Sequence, residues 1–361
     1  MEYKVIDYIK DGVSDSSAIE NCISDAMNSD ERIIIFDGRD YRIDKAITLP
    51  DNTTVIVDGC AIRQSDEVFD NIFRGMNHII DPKEPYGIPL DVTPIKNVKI
   101  LGKNNAKVVG TAKPRKAYHT VLQEYQLMLG DFWGWRTHMF SFSNGDNIEI
   151  SGLRLYQAMG WTISFDCCSK VYVHDMEFHS TVKNGDGIDF RSGCHDCKVE
   201  NITGYTLDDT VACTALASGK RGSYPSKNYL YPSQPYGSMG KEYNRDIHNI
   251  EIRNIMTGGF NHGVICLAAR GNKIYNVTIE NVNEVDAGKR ESTVKLYTGY
   301  GSGYNAGDIH DISVKNVTAE NAKYAVQIAA EVENVTLENI VHNGIDSETF
   351  FGTEQDGVTL I

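Results

Sequence analysis

Carboxylates crowd the middle of this chain. Asn184-Gly185-Asp186-Gly187-Ile188-Asp189 is followed, 22 and 23 residues beyond Asp186, by the adjacent pair Asp208-Asp209. Cutting a glycosidic bond requires an acid to protonate the leaving oxygen and a carboxylate to activate water. Inverting enzymes hold these two groups roughly 6.5–9.5 Å apart so that the water fits between them. Clustered carboxylates also repel one another, which keeps one of them protonated and able to serve as the acid. The competing reading is that Asp186 and Asp208 are turn residues bonded to nearby backbone. Farther on, Gly258-Gly259-Phe260-Asn261-His262-Gly263 supplies His262, and Ser292-Thr293-Val294-Lys295-Leu296-Tyr297 supplies Lys295 and Tyr297. Each lies beside an apolar strand pattern, at a similar place in its own repeat.

These residues can meet only if the repeat is real. Asn97-Val98-Lys99-Ile100, Asn147-Ile148-Glu149-Ile150, Lys170-Val171-Tyr172-Val173, Asn249-Ile250-Glu251-Ile252, Asn276-Val277-Thr278-Ile279, Asp311-Ile312-Ser313-Val314 and Asn334-Val335-Thr336-Leu337 share one alternating pattern. Most open with Asn or Asp, and several run on into a second Asn, as in Glu280-Asn281 and Glu338-Asn339. Their apolar anchors lie 23 residues apart from Ile148 to Val171, 27 from Ile250 to Val277 and 23 from Ile312 to Val335. The 50 residues from Val98 to Ile148 read as two periods, and the 35 from Val277 to Ile312 as one period with an insertion. Strand segments at this period, without helices between them, predict an all-β right-handed parallel β-helix, a solenoid. A leucine-rich repeat lacks its Leu framework here, and a β-sandwich would show hairpin turns between neighbouring strands. Strands one coil apart stack about 4.8 Å from each other, so Asp186 is expected one rung from Asp208-Asp209 on the same outer face.

The expected organisation is one domain over residues 1–361. A strand over Tyr3–Tyr8 precedes a short amphipathic helix over 16–28, with Ser17 and Glu20 as its capping box and Ile19, Cys22, Ile23, Ala26 and Met27 as its apolar face. Residues 1–32 thus form an N-terminal cap over the open end of the solenoid. Two stretches, 103–140 and 217–247, break the repeat and are expected as loops over the cleft. The second is rich in Tyr, which suits sugar stacking and subunit contact equally.

With 361 residues, 41% of them hydrophobic, the composition is that of an ordinary globular protein, and 32 Gly against 9 Pro suits tight turns between paired strands. A formal net charge of -14 disfavours nucleic acid or an acidic membrane as partner, although a cleft can still carry a local positive patch. No apolar run is long enough for a membrane-spanning helix. The start, Met1-Glu2-Tyr3-Lys4-Val5, lacks a secretion-signal pattern, so a cytoplasmic location is expected unless a leader was removed. The 8 Cys are expected as reduced core residues, and Cys194-His195-Asp196-Cys197 as a turn with a buried Cys197 in preference to a zinc site.

The order Asn-x-Asp-Gly, Asp-Asp, His-Gly and then a strand with Lys resembles the polygalacturonase family, glycoside hydrolase family 28. The similarity extends to Arg136-Thr137-His138-Met139 through Trp161-Thr162-Ile163, to Asn276–Asn281, and to the opening Tyr3–Ala18. The resemblance implies inverting hydrolysis of a pectic, uronate-containing poly- or oligosaccharide without metal or cofactor. It implies Asp208 as the general acid, Asp186 and Asp209 as the water-activating pair, and His262 as their support. Asn184, Lys295 and Tyr297 are the expected substrate contacts. Three positions depart from the family pattern: Gly185 stands where Thr is usual, Asn261 where Gly is usual, and Thr293 where Arg is usual. The last removes a bidentate clamp for a uronate. The 217–247 wall over the cleft fits exo action. The alternatives are a β-helix lyase, epimerase or fructotransferase, and a non-catalytic carbohydrate-binding β-helix. The expected partner is a carbohydrate, and a homo-oligomer stays open.

Overall fold

The computed structural model describes residues 1–83, 89–119, 122–216, 244–269, 271–299, 304–344, 348–352 and 357–361. The chain is a right-handed parallel β-helix. Twelve strands, from Glu2–Lys4 to Val358–Leu360, stack in sequence order to form the spine of a 16-stranded sheet. A second, 10-stranded sheet runs from Ile47–Leu49 to Glu348–Phe351, again one strand per coil. Side chains alternate across each strand, and the inward rows fill the space between the sheets with Ile, Val and Phe. Val98, Ile148, Val171, Ile250, Val277, Ile312 and Val335 are each no more than 2% exposed. Burying one such side chain stabilises the fold by about 1.5–3 kcal/mol.

The register agrees with the repeat. Ile148 pairs with Val171, Ile250 with Val277, Val277 with Ile312, and Ile312 with Val335. One expectation changes: Val98 pairs directly with Ile148, so those 50 residues are a single coil carrying an insertion. Lys107–Val109 is still a solenoid strand. The chain then leaves the coil as an antiparallel hairpin, Lys116–His119 with Glu124–Leu127, and two 3-10 turns, Asp131–Trp133 and Trp135–Thr137. A further coil, His195–Thr206, stacks between Ser169–Ser180 and Ile247–Gly259; its anchors are Cys197 and Val199. Of the expected 217–247 insertion, 217–243 lies outside the described residues.

The Asn signature has a structural cause. Asn97, Asn147, Asn249, Asn276 and Asn334 all bend the chain at φ between 50° and 58°, as do the second-position Asn201, Asn254, Asn281, Asn316 and Asn339. Among side chains Asn tolerates this left-handed conformation best. The amides also form ladders: Asn339 donates to Asn316 (2.8 Å), Asn316 to Asn281, Asn281 to Asn254 and Asn254 to Asn201 (3.0 Å each), and Asn201 to Asp175 (2.9 Å). Each of these Asn corners is therefore fixed twice, by backbone preference and by side-chain bonding.

The N-terminal helix spans Asp15–Ala26, with Ile19, Cys22, Ile23 and Ala26 buried. Its cap is Ser14, whose Oγ accepts from the Ser17 N–H at 3.2 Å, so Ser17 is inside the first turn and not the cap. The first strand stops at Lys4, and Val5–Tyr8 form a 3-10 turn that buries Val5. All eight Cys are free thiols. Cys194 and Cys197 point into the core, away from a shared metal with the half-exposed His195. Among the described residues no helix is long and apolar enough to cross a membrane.

Candidate active site

The site forms where the chain enters the 10-stranded sheet, on four successive coils. Asp186 precedes Ile188–Arg191, Asp208 and Asp209 precede Val211–Ala215, His262 opens His262–Ala268, and Glu291 precedes Ser292–Tyr297. Backbone bonds lock these entries together: Gly187 N–H donates to Asp209 O at 2.8 Å, Thr210 N–H to His262 O at 2.9 Å, and Glu291 N–H to Asn261 O at 3.0 Å. Gly187 must be Gly, since a Cβ there would come within 2.5 Å of Thr210 O. The expected one-rung spacing holds. One carboxylate oxygen from each of Asp186, Asp208 and Asp209 lies within 4.8 Å of the others, the only such acidic or metal-ligating grouping among the described residues.

Each acid has its own surroundings. Asp186 is 6% exposed, and its Oδ1 has no hydrogen-bond partner. Asp208 accepts on Oδ1 from the Asn261 side chain and from the Asp209 N–H at 3.0 Å. Asp209 Oδ1 faces His262 Nδ1 at 2.6 Å and accepts from the His262 N–H at 3.2 Å. His262 Nε2 faces Glu291 Oε2 at 3.2 Å. An imidazole with a carboxylate on each nitrogen is satisfied only as the imidazolium, with both nitrogens donating.

Electrostatics separates the roles. Burial, and then repulsion from neighbouring carboxylates, pushes Asp186 and Asp189 well above the usual carboxylate range. Burial and the charge of Asp209 push Asp208 up to about 6, against the pull of the Asn261 and Asp209 donors. Protons held by such a cluster belong to the group as a whole. Asp208, less buried than Asp186, is the acid best placed to hand one to a ligand. Burial alone would lower His262, but Asp209 and Glu291 outweigh it and hold the imidazole above its usual value. Glu291 is held far below the usual carboxylate range, first by His262 and then by Lys295.

Of the expected substrate contacts, Lys295 lies on the same outer face, but its Nζ donates to Glu291 Oε2 at 2.9 Å and sits 4.9 Å from the Tyr297 ring centre. Tyr297 packs against the apolar patch of Ala212, Ile265 and Leu267. Asn184 is half-buried at φ 53° on the turn that leads to Asp186. Thr293 is buried and brings no charge to the site.

Two residues of the site were missed in the sequence. Glu291 ties His262, Lys295 and Gln327 (Nε2 to Oε1, 3.3 Å) into one network. The available signal was its place one coil beyond Asn261. Arg290, 1% exposed, lies beneath and donates to the His262 carbonyl, to Thr210 Oγ1 at 2.9 Å, to Thr257 Oγ1 at 3.1 Å and to the Gly258 carbonyl at 2.7 Å. This guanidinium braces backbone and does not reach the cleft. Nearby, Arg191 lies 4.1 Å from the centre of the Trp161 ring, which also stacks on His138 at 4.7 Å.

No protein-family model and no curated protein matches the chain. Solved structures do. The chain is similar over its whole length, and over 90% of the other chain, to a hyperthermoactive exopolygalacturonase from Thermotoga maritima, with a TM-score of 0.60 at 17% identity. It resembles a polygalacturonase from Erwinia carotovora over 98% of its length and 95% of that chain, with a TM-score of 0.63 at 12% identity. A tailspike protein mutant of E. coli bacteriophage HK620, in complex with a pentasaccharide, matches 99% of the chain and 65% of its own, with a TM-score of 0.64 at 13% identity. At such identities the likeness establishes the β-helix fold.

Proposed function

We propose that this protein is an inverting glycoside hydrolase that cleaves a pectic, uronate-containing poly- or oligosaccharide from one end. The observation that carries the reading is the three-carboxylate cluster in which each acid has a different environment. Asp208, with its raised pKa, protonates the leaving oxygen. Asp209 takes the proton of the attacking water, and Asp186, whose raised carboxyl has an Oδ1 without a protein partner, holds that water in place. His262 fixes Asp209 and offsets part of the local negative charge. The oxygens lie closer together than the 6.5–9.5 Å expected between inverting carboxyls, a spacing nearer that of retaining enzymes. Asp209 is a poor nucleophile all the same, because its Oδ1 is already committed to His262 twice.

The exo-acting form and the pectic substrate take their support from the likeness to exopolygalacturonase. β-Elimination needs a base at the carbon next to a carboxylate. An imidazole flanked by Asp209 and Glu291 is protonated, and a poor base. The deciding test is reducing-sugar release from polygalacturonate, rhamnogalacturonan and neutral plant oligosaccharides, with the anomer of the first product read by proton NMR. Loss of release in Asp208→Asn, with an inverted product, supports the assignment. A retained anomer overturns the water-activating roles, and an unsaturated product overturns hydrolysis altogether.

A further inference from the structure

Beneath the acid cluster three buried threonines stand in a row. Thr206 ends the spine strand His195–Thr206, Thr210 follows Asp209, and Thr257 lies one coil on, in Ile247–Gly259. None is more than 2% exposed. Thr206 Oγ1 lies 2.8 Å from Thr210 Oγ1, which lies 2.9 Å from Thr257 Oγ1. One end of the row meets a cation: Arg290 Nη2 donates to Thr210 Oγ1 at 2.9 Å and to Thr257 Oγ1 at 3.1 Å. The other end meets a carbonyl: Thr206 Oγ1 donates to the Asp208 main-chain oxygen at 2.9 Å.

Those two ends settle the direction of every hydroxyl. A guanidinium can only donate, a carbonyl can only accept, and each hydroxyl has one proton to give. Thr206 gives its proton to the Asp208 carbonyl, so Thr210 must donate to Thr206. The Thr210 proton is then committed, so Thr257 must donate to Thr210. All three O–H groups therefore point away from Arg290 and toward Asp208. Aligned bonds of this kind polarise one another, each gaining roughly 10–30% in strength. The chain ends on the peptide group between Asp208 and Asp209, whose N–H donates to Asp208 Oδ1 at 3.0 Å. A donor on the carbonyl side of a peptide draws electron density through it and makes its N–H a stronger donor.

Resting on the reading of Asp208 as the general acid, we propose that Thr206, Thr210 and Arg290 are positioning residues, which hold that acid and ease the release of its proton through the Asp208–Asp209 peptide. The ionised carboxylate faces Asp209 on its own turn and Asp186 and Asp189 on the preceding coil, all of which oppose its charge. From the following coil His262 and the Asn261 side chain favour it. The hydroxyl chain adds its support from below, where no solvent reaches. An acid buried among like charges would otherwise keep its proton too firmly to hand it to a leaving oxygen.

The test is Thr206→Val, which keeps the shape of the side chain and removes the hydroxyl. In protein labelled with ¹⁵N-aspartate, the Asp209 amide proton, assigned by its absence from Asp209→Glu, is followed by NMR from about pH 4 to about pH 8 without substrate. Its titration midpoint reports Asp208, and is expected to rise by roughly half a pH unit in Thr206→Val. The alkaline limb of the pH–rate profile should rise with it, while kcat falls about tenfold and KM stays within twofold. Thr206→Ser should restore both midpoint and kcat. Thr257→Val should move the midpoint less, because Arg290 still reaches Thr210 directly. If the valine variant does not fold, Thr206→Cys, a weaker donor of similar size, should give a shift of the same sign. A midpoint that is unchanged or lowered overturns the proposal, even where kcat falls, since that combination marks a merely structural threonine. A shift in Thr257→Val as large as that in Thr206→Val overturns it too. The hydrolase reading fails separately: a parent that shows these midpoints but releases no sugar loses the reaction and keeps the chain of hydroxyls.

Discussion

Substituting Asp208 by Asn is expected to remove activity and at the same time stabilise the protein at neutral pH. Its carboxyl is raised from 3.8 to about 6 because the ionised form is buried beside Asp209. That difference corresponds to a penalty of about 3 kcal/mol on the charged folded state, at 1.36 kcal/mol for each tenfold change in proton affinity. Solvent reaching this partly exposed group reduces the penalty to about 2 kcal/mol. Below pH ~3.8 Asp208 is protonated in both folded and unfolded chains and costs nothing. As pH rises toward ~6 the unfolded chain ionises first, and stability falls. An Asn at this position keeps an oxygen to accept from Asn261 and from the Asp209 N–H, so the structural bonds survive. Urea denaturation at pH 7 should therefore show the variant about 2 kcal/mol more stable than the parent, and the gain should vanish near pH 3.5. Turnover should fall by about 10²–10⁴, the usual contribution of a general acid. A gain that is absent at pH 7, or as large at pH 3.5, refutes the electrostatic argument; full activity refutes the role of acid.

The rate of the parent should decline as pH rises above about 6, where Asp208 loses its proton, and a pH–rate profile that stays flat to pH 8 would contradict this. His262→Gln removes the cation between Asp209 and Glu291 and should destabilise the fold by about 2 kcal/mol in urea. Because His262 is raised in the folded state, its contribution is complete below about pH 6.5 and lost as pH climbs through the folded value, so the variant should differ more at pH 5 than at pH 9. Glu291→Gln frees Lys295 and should shift hydrolysis toward substrates with a uronate at the acid cluster, by severalfold in relative kcat/KM; an unchanged ratio between acidic and carboxyl-reduced oligomers would show that Glu291 does not set this preference. At the coil corner, Asn254→Ala should cost about 1–2 kcal/mol more than Asn254→Gly in thermal or urea unfolding, since both lose the ladder bonds but only Ala is strained at φ 56°.

The sequence was sufficient for the solenoid because the signals that build it are local and repeated. Alternation within each strand, an Asn at most corners and a period of 23 to 27 residues are all visible along the chain. The same periodicity carried the site, since residues one coil apart become neighbours: Asp186 and Asp208-Asp209 were legible by spacing, and His262 by its repeat position. Insertions were less legible, because spacing alone does not separate one coil with a long excursion from two coils; the direct pairing of Val98 with Ile148 decided this. The helix cap also shifted from Ser17 to Ser14, a choice made by which oxygen reaches the free N–H groups.

What the sequence by itself determined was the fold class and the set of acids one coil apart. What only the tertiary structure decided was which charges neutralise one another. Lys295 reads as a free cation along the chain, and in the folded protein Glu291 holds it at 2.9 Å. Arg290 drew no notice along the chain, and in the folded protein it is buried as a brace under His262. Pairing of this kind depends on distances of a few ångströms between side chains on different coils, where burial strengthens each interaction, and no linear pattern records it.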